Sequence, residues 1–239
     1  MTFVEILVVL AILGSLLAVT VLKVIPVLAR GKYAAVALAA DQLRKASVSY
    51  LTKPGSLGVL PLSEGVIPAS QYTLSGGGTV ENVAAAATID QVFVAEGYLD
   101  KPLNLTLAGT NAPPAAAATG VVWNVASQRW MAAAAPTLDL STSARAETII
   151  SNPALLPAVA AGANFNLSGD GQTMVPANVV VEYLTIPNCP AQHALELSMF
   201  MDGVSLSESA TTTADGRGAV VYPTPAAGFT TVCVYVTQQ

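Results

Sequence analysis

A chain of 239 residues that is 53% hydrophobic and only 10% charged exposes a largely neutral surface, suited to packing against copies of itself. The formal charge of −5 divides unevenly: residues 1–53 carry six basic side chains against two acidic ones, or +4, which leaves −9 for residues 54–239. With only Lys101, Arg129, Arg145 and Arg217 as cations, that second part is excluded as a nucleic-acid binder, and a single apolar run long enough to cross a bilayer excludes a polytopic membrane protein.

The run is "MTFVEILVVLAILGSLLAVTVL". As a helix its 22 residues rise about 33 Å, against a hydrocarbon core of about 30 Å. An acid in place of a basic start, and no base before Lys23, argue against a secretory leader. Nothing strand-like interrupts residues 1–53 before "KPGSLG", so one helix of about 80 Å is expected, with residues 1–25 as membrane span or filament core. Gly14 lowers helix propensity and Pro26 removes the bond to the Leu22 carbonyl, so a helix break, as kink or melted stretch, is expected between them. Beyond Pro26, Leu28, Ala35, Ala39, Leu43, Ala46 and Tyr50 recur at heptad-like spacing and predict the face that carries the head, with Arg30, Asp41, Arg44 and Lys45 on other faces.

Residues 54–239 are expected to form one globular head. "SGGGT" at 75–79 and "AGTNAPPAAAATG" read as loops, and "TIDQVFVAEG" as a short helix with a Thr88/Gln91 capping box and a stop at Gly97. "GVVWNV" and "RWMAAAA" predict a hairpin turning near Ser127, and 143–150 a helix. "NVVVEYLTIP", "ALELSMFMDG", "GAVVYP" and "TTVCVYVTQ" predict an antiparallel sheet with one face covered by the long helix; Val232, Val234 and Val236 should share one face of the last strand, Cys233 and Tyr235 the other. The fold class is therefore α+β, a long N-terminal helix with a C-terminal antiparallel sheet.

Cys189 and Cys233 lack partners at metal-ligand spacing and read as one disulfide closing a loop of about 45 residues, worth roughly 3 to 4 kcal/mol and implying an oxidising compartment; the alternative is two buried free thiols. No GxSxG elbow, HExxH pair, P-loop or GxGxxG follows a strand, and the lone histidine, His193, sits in "CPAQHALE", so no enzyme, cofactor or metal is expected. "SGDGQ" at 168–172 and "TADGRG" at 213–218 read as ordinary turns rather than calcium loops. "NLT" at Asn104 and "NLS" at Asn166 match the short N-glycosylation triplet.

Glu5 carries the sharpest question, because a carboxylate at the centre of a span costs about 2.5 to 3.5 kcal/mol even on a lenient scale. Either it reaches the headgroups, or it pairs with the α-amino group of Met1 on an adjacent, staggered copy, which would fix the register of each arriving subunit.

"MTFVEILVVLAILG" resembles the mature N-terminus of type IV pilins and the related pseudopilins: a hydrophobic first residue, Thr2, Glu5, then an apolar helix. The match covers about the first 25 residues, and the long helix, β-rich head and C-terminal cysteine pair continue the family's layout. The resemblance implies that Met1 is the N-methylated end made by prepilin peptidase and that Glu5 neutralises the neighbouring amine during assembly, with Thr2 beside it. Met rather than Phe at the first position is similar to the type IVb branch. The basic leader of the family is absent, so the sequence is taken as the mature form. Such a leader would also outweigh Lys23, Arg30 and Lys32, which by the positive-inside rule would hold the head in the cytoplasm. The proline comes about one turn later than in many relatives, and the head is larger than most.

The expected function is therefore that of a structural subunit, stored in the inner membrane and polymerised with copies of itself into an extracellular type IV pilus for adhesion, motility or DNA uptake. Its partners would be itself, the peptidase and the inner-membrane pilus assembly machinery. Two alternatives stay open: a type II secretion pseudopilin forming a short, piston-like fibre, and a membrane-anchored binding domain in which Glu5 is incidental.

Overall fold

The computed structural model describes residues 3–53, 60–63, 82–83, 88–101, 103, 105, 107, 121–124, 129–132, 144–151, 165–169, 175–176 and 179–239, with the side chains of 18–29, 63, 82–83, 121–132 and 150 outside that description. Helix α1 covers Phe3–Leu51, 49 residues, and its last turn is closed by the Thr52 N–H on Val48 and the Lys53 N–H on Tyr50, just before Pro54. The backbone is helical through Gly14 and Pro26, which overturns the melted stretch expected there, while a bend at Pro26 is compatible with a continuous helix. One missing backbone bond is outweighed by the intact turns on either side, since propagation of an existing helix is easy where nucleation is not.

The head is α+β. Strands β1 (Leu62–Ser63), β2 (Asn82–Val83), β3 (Val121–Asn124) and β4 (Arg129–Ala132) form a small sheet in the order β1-β2-β4-β3, in which the expected β3–β4 hairpin pairs Asn124 with Arg129. Its turn at 125–128 and the loops expected at 75–79 and 108–120 lie outside the described residues. Between β2 and β3 runs α2 (Ile89–Ala95), followed by Gly97 at φ +79, the left-handed stop expected there. The capping box does not close: Thr88 makes no side-chain cap bond, because its hydroxyl serves the carboxylate of Asp90 instead.

The larger sheet has β5 (Arg145–Ile150), β6 (Val180–Pro190), β7 (Val220–Val221) and β8 (Phe229–Gln238) in the order β5-β6-β8-β7, all antiparallel. Two expectations are corrected. Residues 145–150 form a strand, where "AETII" places Thr148, Ile149 and Ile150 at positions that favour pairing, and β6 supplies the partner. "ALELSMFM" lies in helix α3 (Ala191–Met201), rich in Ala, Leu, Met and Glu and buried at 191, 194, 195, 197 and 198, a helical spacing.

Both faces of this sheet are covered, not one. On the first, Val180, Leu184, Ile186, Val220, Val232, Val234 and Val236 pack against α1, α2 and α3 in the main core. On the second, Val181, Tyr183, Val221, Cys233 and Ile149 pack with Phe165 and Val175. The alternation expected along β8 holds. On α1 the buried face is Tyr33, Val36, Ala39, Ala40, Leu43, Ala46 and Tyr50, whereas Ala35 is exposed. Leu28 lies among the side chains outside the description.

Candidate functional site

The candidate site is the part of α1 that the head does not reach. In its described portion, residues 3–17, every side chain is exposed, including Phe3 at 76%, Leu10 at 59% and Leu17 at 64%. The first 15 described residues are thus apolar all round apart from Glu5, Gly14 and Ser15, and Ser15 returns its hydroxyl to the Ile12 carbonyl at 2.8 Å. A helix that is apolar on every side is stable in water only when something outside it supplies cover. From Tyr33 onward the sheet supplies it, and the same helix turns one-sided.

Glu5 lies in the first turn of α1, where the partial positive charge of the helix N-terminus favours a carboxylate. It is exposed, at the tip of the rod. Met1 and Thr2, the processing and assembly residues expected beside it, lie outside the described residues. Among the described residues no helix is long and apolar enough to cross a membrane. Those residues include only 3–17 of the apolar run with their side chains, fewer than the about 20 a span requires.

The disulfide is corrected: Cys189 and Cys233 are both free and buried. Cys189 lies in the core beneath the helices and Cys233 in the core on the opposite face. Cys189 pairs in register with Thr230 and Cys233 with Thr185, so the two are also offset along the strands by about 10 Å, beyond the reach of a disulfide. The cause is the register shift between Ile186 and Cys189, with Asn188 at φ 52. By strict alternation Cys189 would share the face of Val181 and Tyr183 with Cys233; the bulge turns it to the other. Burial pushes both thiols up to about 12.

Asn166 is corrected as a glycosylation site: it is 8% exposed and its backbone carbonyl accepts from the N–H groups of Gly169 and Gly218. Asn104 lies outside the described residues. The "TADGRG" turn has its carboxylate occupied, since Asp215 accepts from the Ser198 hydroxyl at 2.7 Å and from the N–H groups of Glu208 and Arg217. Among the described residues no cluster of three His, Cys, Asp or Glu is placed to hold a metal ion.

One constellation escaped the sequence reading. Where α1 meets α3, the Tyr33 hydroxyl donates to Glu196 Oε2 at 2.5 Å and lies 2.8 Å from His193 Nδ1, with the ring against Phe200. Burial, and then the Glu196 carboxylate, push the phenol well above its usual range, which suits a fixed donor and not a base. The cluster clamps α1 to α3 at the first buried turn among the described side chains of the helix. Its signal was the i, i+3 spacing of His193 and Glu196, visible only if this segment is read as helix. At the far end, Lys53 pairs with Glu96, and Arg44 donates to the Val236 carbonyl at 2.9 Å, so stem cations meet head acceptors along the docked half. No family model, curated protein or solved structure matches this chain.

Proposed function

We propose that this chain is a structural subunit of a helical filament of the type IV pilus kind, held in the inner membrane by the apolar half of α1 and, after processing by prepilin peptidase to an N-methylated Met1, polymerised through it with copies of itself. The observation that carries the reading is the contrast within one helix: residues 3–17 are apolar and uncovered on all sides with an acid in the first turn, while the half from Tyr33 onward is built into the head. Copies of the same rod, staggered along the filament axis, supply the missing cover, and contacts of this head-to-tail type need not close into a ring. Glu5 would meet the α-amino group of a neighbour's Met1, with Thr2 beside it. An enzymatic role has no support in any motif or cluster described above.

The separated cysteines no longer favour a surface filament over a type II secretion pseudopilus, so fibre length decides between them. The test is electron microscopy of sheared surface fibres from cells making the wild-type chain or Glu5→Ala. Long fibres are expected for the wild type and are lost in the variant, whose head stays folded. Short fibres assign the pseudopilus. Normal fibres in Glu5→Ala, or wild-type material that is never more than monomeric, overturn the role of Glu5 and of the rod respectively.

A further inference from the structure

Glu182, on β6, is fully buried between the sheet and α1. Its Oε2 is hydrogen-bonded to Ser47 Oγ on α1, and its Oε1 has no hydrogen-bond partner among the described residues. The Ser47 hydroxyl also lies 2.8 Å from the Leu43 carbonyl, one turn back along the helix. A hydroxyl has one hydrogen and a carbonyl has none. If Ser47 gives its hydrogen to Leu43, the contact with Glu182 closes only when the carboxyl group supplies the hydrogen. An ionised Glu182 must instead take the serine's hydrogen, and it still leaves a negatively charged oxygen buried and bare.

Among the described residues, the charged groups around it give no compensation. Asp90 on α2 is the other titratable group that acts on it, with the same sign of charge. Asp90 is well supplied, accepting from the N–H groups of Leu103 and Ala146 and from the Thr88 hydroxyl, so a proton shared by the two acids belongs on Glu182. On α1, Asp41 and Lys45 pair with each other at 2.7 Å and Arg44 is taken by Val236. On β5, Arg145 and Glu147 pair on the other face of the sheet, where Glu147 also accepts from Thr185.

We propose that Glu182 is held as a neutral carboxylic acid donating to Ser47, and that this proton acts as a latch between α1 and the head: its loss weakens the docking of the long helix on the sheet. The proposal is independent of the filament reading. Burial is the main cause that pushes Glu182 up to about 8; the Ser47 bond opposes it and the Asp90 charge adds to it. An acid raised in the folded state holds its proton there while the unfolded chain, near 4.5, has lost it. The latch is therefore fully effective below about pH 4.5, weakens as pH rises, and is lost by about pH 8.

The test compares denaturant unfolding of the full chain in detergent micelles across this pH range with that of Glu182→Gln, which keeps the shape and offers Ser47 an N–H donor. Relative to the variant, the wild-type unfolding equilibrium constant is expected to rise by up to about tenfold per pH unit between about pH 5 and 8. Equal pH slopes for the two chains overturn the proposal. Infrared spectra of the wild type give a second reading that does not depend on the variant folding: a protonated carboxylic acid carbonyl band present at neutral pH and gone at alkaline pH supports the latch, and no such band at neutral pH overturns it. Stabilisation of the wild type alone by Ca2+ or Na+ at alkaline pH puts a cation where the proton was assigned, and also overturns it.

Discussion

Replacing Leu43 by Ala tests where the helix stops being a bare rod and becomes part of the head. Leu43 is 0% exposed in the main core, facing the sheet, whereas Leu38, little more than a turn away, is 57% exposed. Truncation of Leu43 removes three carbons, about 2.4 kcal/mol of transfer free energy. The residual cavity adds to that, because α1 is also fixed by Tyr33, Tyr50 and Arg44 and cannot collapse freely onto the sheet, so the expected loss is about 3–4 kcal/mol. Leu38→Ala, on the open side, should change stability by about 0.5 kcal/mol or less. Denaturant unfolding of both variants, followed by circular dichroism in micelles, gives the two values side by side. Equal losses, or a Leu43→Ala chain within about 0.5 kcal/mol of wild type, would refute the assignment of the docked face.

The thiols and one backbone position supply further checks. Both cysteines should react with a thiol reagent once the chain is unfolded without reductant, and hardly at all when it is native, since burial holds both thiols up near 12; a mass gain of two hydrogens on reduction would restore the disulfide. Gly218→Ala should destabilise the head by about 1–3 kcal/mol. Gly218 sits at φ +82, and a Cβ there would lie 2.4 Å from the Asp202 carboxylate, which accepts the N–H groups of Ala219 and Val220. Unfolding midpoints of the variant and wild type that coincide would count against that geometry.

Legibility in the sequence followed from how many independent signals a segment carried. Val232, Val234 and Val236 alternate with Cys233 and Tyr235 over a strand covered on both sides, so period two and chemistry agreed. Helix α2 had a start at Thr88 and a stop at Gly97. In "ALELSMFM" the apolar residues happen to alternate, which hid the helix-forming composition, while "ARAET" hid a strand whose partner lies 30 and more residues away. The disulfide expected from two cysteines without metal-ligand partners fails at the bulge between Ile186 and Cys189, which no residue pattern announces. Glu182 is legible by the logic applied to Glu5, as a lone acid in the apolar run "NVVVEYLTIP", but the strand pattern of that run carries no sign that this position is buried against a helix. For the candidate site, the uncovered rod and its acid were plain from the first 17 residues. The clamp at Tyr33 and the latch at Ser47 depend on long-range packing that local periodicity does not encode.

The rod and the spine of the head are one unbroken helix, and this has a mechanical consequence. A pull on the tip travels down a helical backbone that lacks only the bond Pro26 cannot make, and enters the head parallel to the axis along which Tyr33, Val36, Ala39, Ala40, Leu43, Ala46 and Tyr50 are seated. Load in that direction shears many side chains together instead of peeling them one by one. The head should therefore resist tension on its stem far better than a force applied across the sheet at the chain's last strand.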